Sequence, residues 1–435
     1  MYPFDPPAVY AHESVVADPR YAERMSRVVS ACDNAVEPVI YTDDDLPAMI
    51  NDQGLLDRRV SMGTLAEIHD PILLFNTFRF DGRRDERYQW LADQGVKATG
   101  HTQAALLGYG PFSWANYNLP GDAARHDKIC RPCWRIHFQN GCVHRCHYCG
   151  LGGLLATMVN VEDYVEQLGR LIEAHPWQET YLLEDDAEIP VLEPELGCLG
   201  PIIEFFGTLE DRYVVIHTKT WNVDWLLDLP HNGNTIIVWS LSAPTQSRVF
   251  EPVAGTTEER IEAARKCQEA GYTIRYKFKP IIPVRNWRQE ATQTIDLLFE
   301  KTNPDVISLC TYMWMTVEEM TRRLDADYLD PEYLKAAEES VEEMADTRAK
   351  PFPEWVRAAI YEHHFDEIRK RDAEVPVSLS TENFPMWKRL GPKLGFTPTN
   401  YVCGCGPNSV PWRRKLERHA FEIAAAGPQG GFELI

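Results

Sequence analysis

Strand-like and helix-like segments alternate through the middle of this 435-residue chain, and no other feature constrains its fold as strongly. Residues 235–241 form a nearly continuous apolar run, which is typical of a strand buried on both faces. Thr256 and Glu259 then form a capping box that begins a helix, and Gly271 is placed to end it. Repetition of this strand–helix unit predicts a parallel sheet with helices packed outside it.

The alternation predicts six strands, at 135–139, 181–183, 213–219, 235–241, 273–282 and 305–311. Six such units indicate an α/β fold with a partial (βα)6 barrel of the TIM type, whose chemistry lies at the carboxyl ends of the strands. Polar side chains follow or end these strands, and we take them as site candidates: Asn140, Glu184, Asp185, Lys219, Ser240, Ser242, Lys279 and Tyr312.

The sequence around the barrel divides the chain into three parts. Residues 1–129 form an N-terminal subdomain rich in Pro, Asp and Arg, in which we find no motif. Residues 130–315 hold the predicted barrel. Residues 316–435 are predicted to form a helical cap with a Cys-x-Cys segment that closes the barrel mouth, and residues 375–379 are a candidate additional strand.

Composition narrows the classes of partner. The 44% apolar and 25% charged residues are typical of a globular protein, and the net charge is −21. Such a surface repels phosphate backbones and anionic lipids, which argues against general nucleic-acid or membrane binding. The apolar runs are of strand length and the N-terminus carries no secretory signal, so we expect no membrane span and a cytoplasmic protein.

The positions of the cysteines indicate where in the chain the functional site lies. The chain has eleven, five of them between residues 130 and 149. Disulfide frameworks belong to small oxidised domains, so clustered thiols in a large chain indicate metal or redox chemistry. Cys142, Cys146 and Cys149 have Cys-x3-Cys-x2-Cys spacing directly after the first predicted barrel strand.

Three thiolates on one loop can ligate three irons of a four-iron cluster. Cysteine ligation of such clusters is normally four-fold, so a three-cysteine set implies one iron open to another ligand. Structural zinc needs a fourth ligand instead, which His144 or His147 can supply.

The loop also carries an aromatic residue, Tyr148, directly before its third cysteine, and in this it resembles the radical S-adenosylmethionine (SAM) superfamily. Over about residues 130–312 the chain is similar to the spore photoproduct lyase-like branch of that superfamily. The segments that carry the similarity are 203–207, 217–220, 231–233, 239–242, 258–265, 270–272 and 280–287.

This resemblance implies a radical SAM enzyme. Its cofactors would be a four-iron four-sulfur cluster on Cys142, Cys146 and Cys149 and a SAM molecule on the open iron. Reductive cleavage of SAM would yield a 5′-deoxyadenosyl radical that abstracts a substrate hydrogen, with flavodoxin or ferredoxin as the electron donor. The implied SAM contacts are Tyr148 near the adenine, Lys219 on the carboxylate, Ser240 and Ser242 as hydrogen-bonding groups, and Ile282 along the adenosine.

Two departures from the lyase pattern shape the expected substrate. Gly150 stands where the lyase has a tyrosine that relays a hydrogen atom, and residues 183–187 lack the lyase's hydrogen-donating cysteine. Together with the acidic charge, these losses favour a small-molecule or nucleotide-type substrate over nucleic acid. Glu184 or Asp185 would then bind the SAM amino group or act on the substrate.

Four further cysteines, Cys130, Cys133, Cys403 and Cys405, allow three interpretations. They can form an auxiliary zinc or iron–sulfur site, they can be structural, or Cys403 or Cys405 can be a catalytic thiol. Two alternative functions also stay open: lyase-like repair or modification of nucleic-acid lesions, and a non-catalytic iron–sulfur or zinc module.

Overall fold

The computed structural model describes residues 1–34, 36–58, 69–98, 100–115 and 128–417. Two sheets organise these residues. The larger sheet has eight strands and the smaller has five. Within the described ranges, no helix is both long enough and apolar enough to cross a membrane.

The larger sheet confirms the predicted partial barrel. Its strands are β4 (Phe112–Ala115), β5 (Cys133–Ile136), β8 (Thr180–Leu183), β9 (Tyr213–Thr218), β10 (Thr235–Leu241), β11 (Thr273–Ile281), β12 (Ile307–Thr311) and β13 (Val377–Leu379). They lie in the order β13-β12-β11-β10-β9-β8-β5-β4, and all neighbours are parallel except β4 and β5. All six predicted strands therefore stand side by side in chain order, and residues 375–379 supply a further strand.

Helices cover the outside of the barrel and build the C-terminal region. Around the barrel they are α6 (Val161–Ala174), α7 (Leu199–Gly207), α8 (Pro244–Val249), α9 (Thr257–Glu269) and α10 (Trp287–Lys301). After the barrel come α11 (Val317–Arg323), α12 (Pro331–Glu339), α13 (Val341–Met344), α14 (Glu354–Arg371) and α15 (Phe384–Leu394). Short 3-10 turns occur at Asp43–Asp45, Ile189–Leu192, Asp224–Leu226 and Ala326–Tyr328.

Local capping explains where several helices begin. The Thr256 hydroxyl accepts from the Glu259 N–H and the Glu259 carboxylate accepts from the Thr256 N–H, so the predicted capping box of α9 is confirmed. Helix α7 begins at Leu199. There the Glu193 carboxylate accepts from the N–H groups of residues 197, 198 and 199 at 2.8–3.0 Å and caps the helix from outside.

The smaller sheet was not foreseen from the sequence. It consists of β1 (Val9–His12), β2 (Val39–Tyr41), β3 (Ile72–Asn76), β6 (Gln139–Asn140) and β7 (Leu154–Met158), in the order β2-β1-β3-β7-β6. Its helices are α1 (Glu13–Ala17), α2 (Pro19–Ser30), α3 (Leu46–Asn51), α4 (Arg84–Asp93) and α5 (Gly100–Leu107). Strand β3 pairs in parallel with β7, so the N-terminal strands share hydrogen bonds with strands that flank the three-cysteine loop. The division at residues 129/130 and 315/316 stays a prediction.

The segment around residues 401–413 lies at the end of the barrel opposite its mouth. The Pro407 carbonyl accepts from the N–H groups of Glu179 and Thr180, where β8 begins. Buried Arg275, near the start of β11, donates to the carbonyls of Gly404 and Ser409 at 3.1 and 2.6 Å. Hence this segment, which we call the C-terminal plug, closes the floor of the barrel. The prediction that the Cys-x-Cys segment closes the mouth is wrong, because its hydrogen bonds are made with residues at the amino ends of the strands.

Candidate functional site

A single cavity of about 310 Å³ brings most of the predicted site residues together. It lies inside the larger sheet, between the three-cysteine loop at the mouth and the C-terminal plug at the floor. Cys142, Cys146 and Cys149 all line it, as do Cys403 and Cys405. Cysteines of the three-cysteine loop and of the C-terminal plug, which are far apart in sequence, therefore face one cavity.

The three-cysteine loop connects β6 of the smaller sheet to β7. Gly141 opens the loop at φ +109°, and a Cβ there would lie 2.0 Å from the Leu154 carbonyl oxygen, so the position requires glycine. Arg145 also adopts a left-handed backbone, at φ +51°. These two turns present all three thiols to the cavity. Burial raises the pKa of the Cys146 thiol to about 12, although the nearby Lys219 ammonium lowers it.

Lys219 reaches the loop from the end of β9. Its Nζ lies 3.8 Å from Cys146 Sγ and 3.0 Å from a carboxylate oxygen of Glu251, and it also donates to the Tyr148 hydroxyl. Burial alone would lower the pKa of Lys219, but the Cys146 thiol and the Glu251 carboxylate raise it. An ammonium is therefore held next to the predicted cluster.

Glu251 is the centre of a fully buried network behind Lys219. Its carboxylate accepts from Arg260 and from the Tyr148 hydroxyl at 2.5 Å, and from the Ser242 hydroxyl at 2.7 Å. Burial would raise the pKa of Glu251, but the Arg260 and Lys219 cations lower it well below its usual range. The network positions Lys219 and Tyr148 together.

The predicted SAM contacts divide into two groups. Tyr148, Lys219 and Ser240 line the cavity. Ser242 does not, because its hydroxyl points back to Glu251, and Ile282 lines a separate small cavity beside Phe278 and Trp287. Ser242 therefore affects the cavity only by holding Glu251 in place. Ile282 packs in the apolar layer outside the cavity wall.

Glu188, which the sequence did not single out, forms a second buried pair with His144. The Glu188 carboxylate accepts from the Thr218 hydroxyl and from the Lys219 N–H at 3.0 Å, and it lies 3.7 Å from His144 Nδ1. Burial raises the pKa of Glu188 to about 7 and lowers that of His144 to about 3. Both side chains line the cavity, and burial favours the neutral form of each.

The predicted acidic pair after β8 has a different arrangement from the one expected. Glu184, at φ +63°, turns away from the cavity and pairs with His137 at 3.1 Å. Asp185 lines the cavity and forms an ion pair with Arg135. Among the described residues, His137, Glu184 and Asp185 are the group whose ligand atoms lie close enough for a single metal ion. Each of the three already has a partner, so the arrangement suits an ion-pair network.

The four outlying cysteines are only partly brought together. Cys130, Cys403 and Cys405 line the cavity, but Cys133 does not. The Cys133 thiol is buried in β5, where burial raises its pKa to about 12. The auxiliary metal site stays a prediction, and three of its four thiols face one space.

The cavity is far more basic than the protein as a whole. Six cationic side chains line it against three carboxylates; the cations are Lys128, Arg135, Lys219, Lys277, Lys279 and Arg348, and the carboxylates are Asp185, Asp186 and Glu188. Trp314 adds an aromatic face, with Lys279 Nζ 5.0 Å from its ring centroid. Such a lining is complementary to a ligand that carries both negative charge and flat rings.

Sequence reasoning missed the residues that reach the site from other elements. Glu251, Arg260 and Lys277 carry no spacing that marks them, because each gains its role only when separate elements of the fold meet. Glu188 had a weak signal, since it follows the predicted strand 181–183 by five positions. Polar residues a few positions after a strand end should therefore be considered as site candidates in the same way as those at the end itself.

Comparison with known proteins gives the same family resemblance. Residues 130–324 match the family model described as spore photoproduct lyase. The lyase of Bacillus subtilis (strain 168) is 31% identical over 163 residues, which cover 36% of this chain and 48% of that protein. The lyase of Clostridium acetobutylicum is 28% identical over 183 residues, covering 40% and 54%. This chain thus spans about half the length of the curated relatives it matches.

Solved structures show the same fold. A spore photoproduct lyase with bound AdoMet and dinucleoside spore photoproduct has a TM-score of 0.57 at 16% identity, covering 88% of this chain and 100% of that one. Another, complexed with dinucleoside spore photoproduct, has a TM-score of 0.56 and covers 87% and 98%. The predicted resemblance to the lyase-like branch of the radical SAM superfamily is confirmed, and so is the partial barrel.

One expectation is wrong. The acidic charge and the two departures from the lyase pattern favoured a small molecule and made nucleic acid the less favoured partner. The matched relatives are spore photoproduct lyases, and matched structures hold a dinucleoside. Net charge failed as a guide because it sums the whole surface, whereas the cavity is lined by six cations.

Proposed function

We propose that this chain is a radical SAM enzyme that acts on a nucleic-acid lesion of the spore-photoproduct type. The observation that carries this proposal is that the three-cysteine loop and six cationic side chains face the same cavity. Cations at the wall suit the phosphate of a nucleotide substrate, and the cysteines suit a cluster beside it. We place the protein in the cytoplasm, where thiols stay reduced, because none of its eleven cysteines is in a disulfide.

The donor set fits the proposed cofactors. Cys142, Cys146 and Cys149 would hold a four-iron four-sulfur cluster, because three thiols on one loop face the cavity and leave one iron open. Once bound and reduced, by flavodoxin or ferredoxin in this proposal, the cluster with SAM supplies a carbon-centred radical.

Residues of the chain would hold SAM in place. The Lys219 ammonium, fixed by Glu251, would pair with the SAM carboxylate. Tyr148, fixed by the same carboxylate, would lie against the adenine, and Ser240 would donate a hydrogen bond from the cavity wall. The SAM amino group would face Glu188 or Asp185, the carboxylates that line the cavity near Lys219 and Arg135.

Anaerobic reconstitution with iron and sulfide tests the radical chemistry. With dithionite and SAM we expect 5′-deoxyadenosine, measured by liquid chromatography and mass spectrometry. Cys146→Ala should lower its yield by at least about 100-fold, because the cluster loses a ligand. Cys267→Ala is the matched control, since Cys267 is buried in α9 away from the cavity. Full yield from Cys146→Ala would contradict the proposal.

The substrate class is tested separately with dinucleoside spore photoproduct as the probe. We expect it to bind the reconstituted protein and to be converted when SAM and dithionite are present. If 5′-deoxyadenosine forms but the dinucleoside neither binds nor changes, the radical SAM part stands and the substrate class fails.

A further inference from the structure

The six cations that line the cavity differ in what balances their charge. Lys219 pairs with Glu251 at 3.0 Å, and Arg135 pairs with Asp185. Lys279 lines the same cavity, but within the described ranges no carboxylate lies at ion-pair distance from its ammonium and it donates no hydrogen bond. An ammonium at a cavity wall without a counter-charge favours an anionic ligand.

The Trp314 indole holds two of these cations together. Lys279 Nζ lies 5.0 Å from the ring centroid and Arg348 Cζ lies 5.6 Å from it, distances at which an aromatic face attracts a cation. Lys279 belongs to β11, Trp314 follows β12, and Arg348 lies between α13 and α14. All three line the cavity, so the fold gathers two positive charges from distant segments around one ring.

Both the backbone and the indole nitrogen of Trp314 are unusual. Its φ is +75°, in the left-handed region that bulky side chains rarely adopt, and strain of this kind occurs mostly at functional sites. Its neighbours Met313 and Met315 are buried and hold the turn in place. The indole N–H is buried and has no acceptor in the part of the chain that the structure describes, which is unfavourable unless a ligand supplies one. Trp314 therefore offers a hydrogen-bond donor beside the two cations.

These residues lie at the mouth of the barrel, on the side of the predicted cluster. Lys279 is near the carboxyl end of β11, and Trp314 comes three residues after the carboxyl end of β12. Tyr312, two residues before Trp314, contacts the ring of Tyr148 at a centroid distance of 6.5 Å. Since Tyr148 directly precedes Cys149, a ligand held by Trp314 and its cations would lie close to the three-cysteine loop.

We propose that Lys279, Arg348 and the indole N–H of Trp314 bind one phosphate group of the substrate. This inference rests on the proposed function, because it takes the substrate to be a nucleic-acid lesion. The phosphate oxygens would accept hydrogen bonds from the ammonium, the guanidinium and the indole. Lys219 remains available for the SAM carboxylate, so cofactor and substrate use different cations of one cavity.

Three probes that differ only in phosphate test this site. They are dinucleoside spore photoproduct, the same lesion with its internal phosphodiester, and the dinucleoside with a 5′-phosphate. Each is titrated by calorimetry into the reconstituted protein with SAM and without a reductant, so that no turnover occurs. We expect a phosphate-bearing probe to bind at least about tenfold more tightly than the dinucleoside, and the two phosphate-bearing probes show which phosphate is bound.

Lys279→Met and Arg348→Met should each remove most of this preference and change the affinity for the dinucleoside by no more than about twofold. Lys266→Met is the matched control, because Lys266 lies on α9 outside the cavity and pairs with Asp224 at 2.8 Å. It removes the same charge and should keep the full preference.

Two substitutions of Trp314 separate its N–H from its ring. Trp314→Phe keeps an aromatic face but has no N–H, so we expect the preference to fall to about threefold. Trp314→Leu also loses the face that holds the two cations, and the preference should disappear. A loss of affinity for the dinucleoside as large as that for the phosphate-bearing probes would show stacking on a base and would overturn the role given to Trp314.

Equal affinity of the wild type for all three probes would overturn the inference and leave the proposed function standing, provided that the dinucleoside binds. A preference that survives in both Lys279→Met and Arg348→Met would overturn it as well. If none of the probes binds the wild type, the proposed substrate class fails and this inference fails with it.

Discussion

At the scale of single residues, the site contains buried charged groups that stay charged because each lies next to a group of opposite charge. Glu251 shows this most clearly, since it is fully buried and touches both Arg260 and Lys219. An isolated carboxylate there would be neutralised, whereas two cations keep it charged. The cysteine loop could be predicted because its three cysteines are close together in sequence. The Glu251 network could not, because its members come from the loop, β9, the segment after α8, and α9.

Glu188 gives a pH-dependent prediction. Its pKa is raised by burial from about 4.5 to about 7, so the folded apoprotein holds a proton there that the unfolded chain releases. The contribution of this proton to the free energy of unfolding is fully present below the pKa of the unfolded chain, about 4.5. It decreases as the pH rises to about 7 and does not change above that pH. The wild type should therefore lose about 3 kcal/mol of unfolding free energy between pH 5 and pH 8 that Glu188→Gln does not lose.

Urea unfolding of both apoproteins at the two pH values measures this change, because other titrating groups cancel in the difference. A constant difference between Glu188→Gln and the wild type from pH 5 to pH 8 would show that the carboxyl titrates normally.

At the scale of elements, the C-terminal plug depends on one strand residue. Arg275 of β11 is fully buried, pairs with Asp305 at 2.6 Å and donates to two plug carbonyls. Arg275→Met should lower the unfolding free energy by about 3–5 kcal/mol, because it leaves the Asp305 charge buried without its cation. It should also speed proteolysis within residues 401–413.

Arg265→Met is the matched control for this prediction. Arg265 lies on the surface of α9 and pairs with Glu262 and Glu269 at 2.6 and 2.5 Å. Exposed pairs of this kind contribute about 0.5 kcal/mol or less. Equal stability losses in the two variants would contradict the role assigned to Arg275.

Elements with local signals were predictable and elements assembled from distant segments were not. The capping box at Thr256 and the apolar run at Thr235–Leu241 mark their own boundaries. Strands β1, β3 and β7 are short, and each is defined by a partner far away in sequence. The plug has no regular structure of its own, so periodicity could not reveal it.

At the scale of the whole molecule, the sign of the charge differs between the outside and the cavity. The net charge is −21, while the cavity wall is cationic. With this arrangement we expect a nucleic-acid fragment to be repelled at long range and attracted once it enters the cavity. Since the Debye length falls from about 30 Å at 0.01 M salt to about 8 Å at 0.15 M, added salt removes the repulsion first.

The association rate of a short fluorescent oligonucleotide containing the lesion should therefore rise with salt, by about threefold over that range. Stopped-flow mixing measures it, and an uncharged dinucleoside analogue should show no change. A rate that falls as salt is added would contradict this charge arrangement and would indicate a basic approach surface instead.

The floor of the barrel has a consequence for how the protein is made. The cysteine loop lies near residue 145, while the floor is supplied by residues around 404, more than two hundred positions later. During translation the loop and most barrel strands leave the ribosome well before the plug exists. Until the plug arrives, the space beneath the loop is open to water and to the oxygen dissolved in it. Synthesis order therefore delays closure of the barrel floor until residues 401–413 have been made.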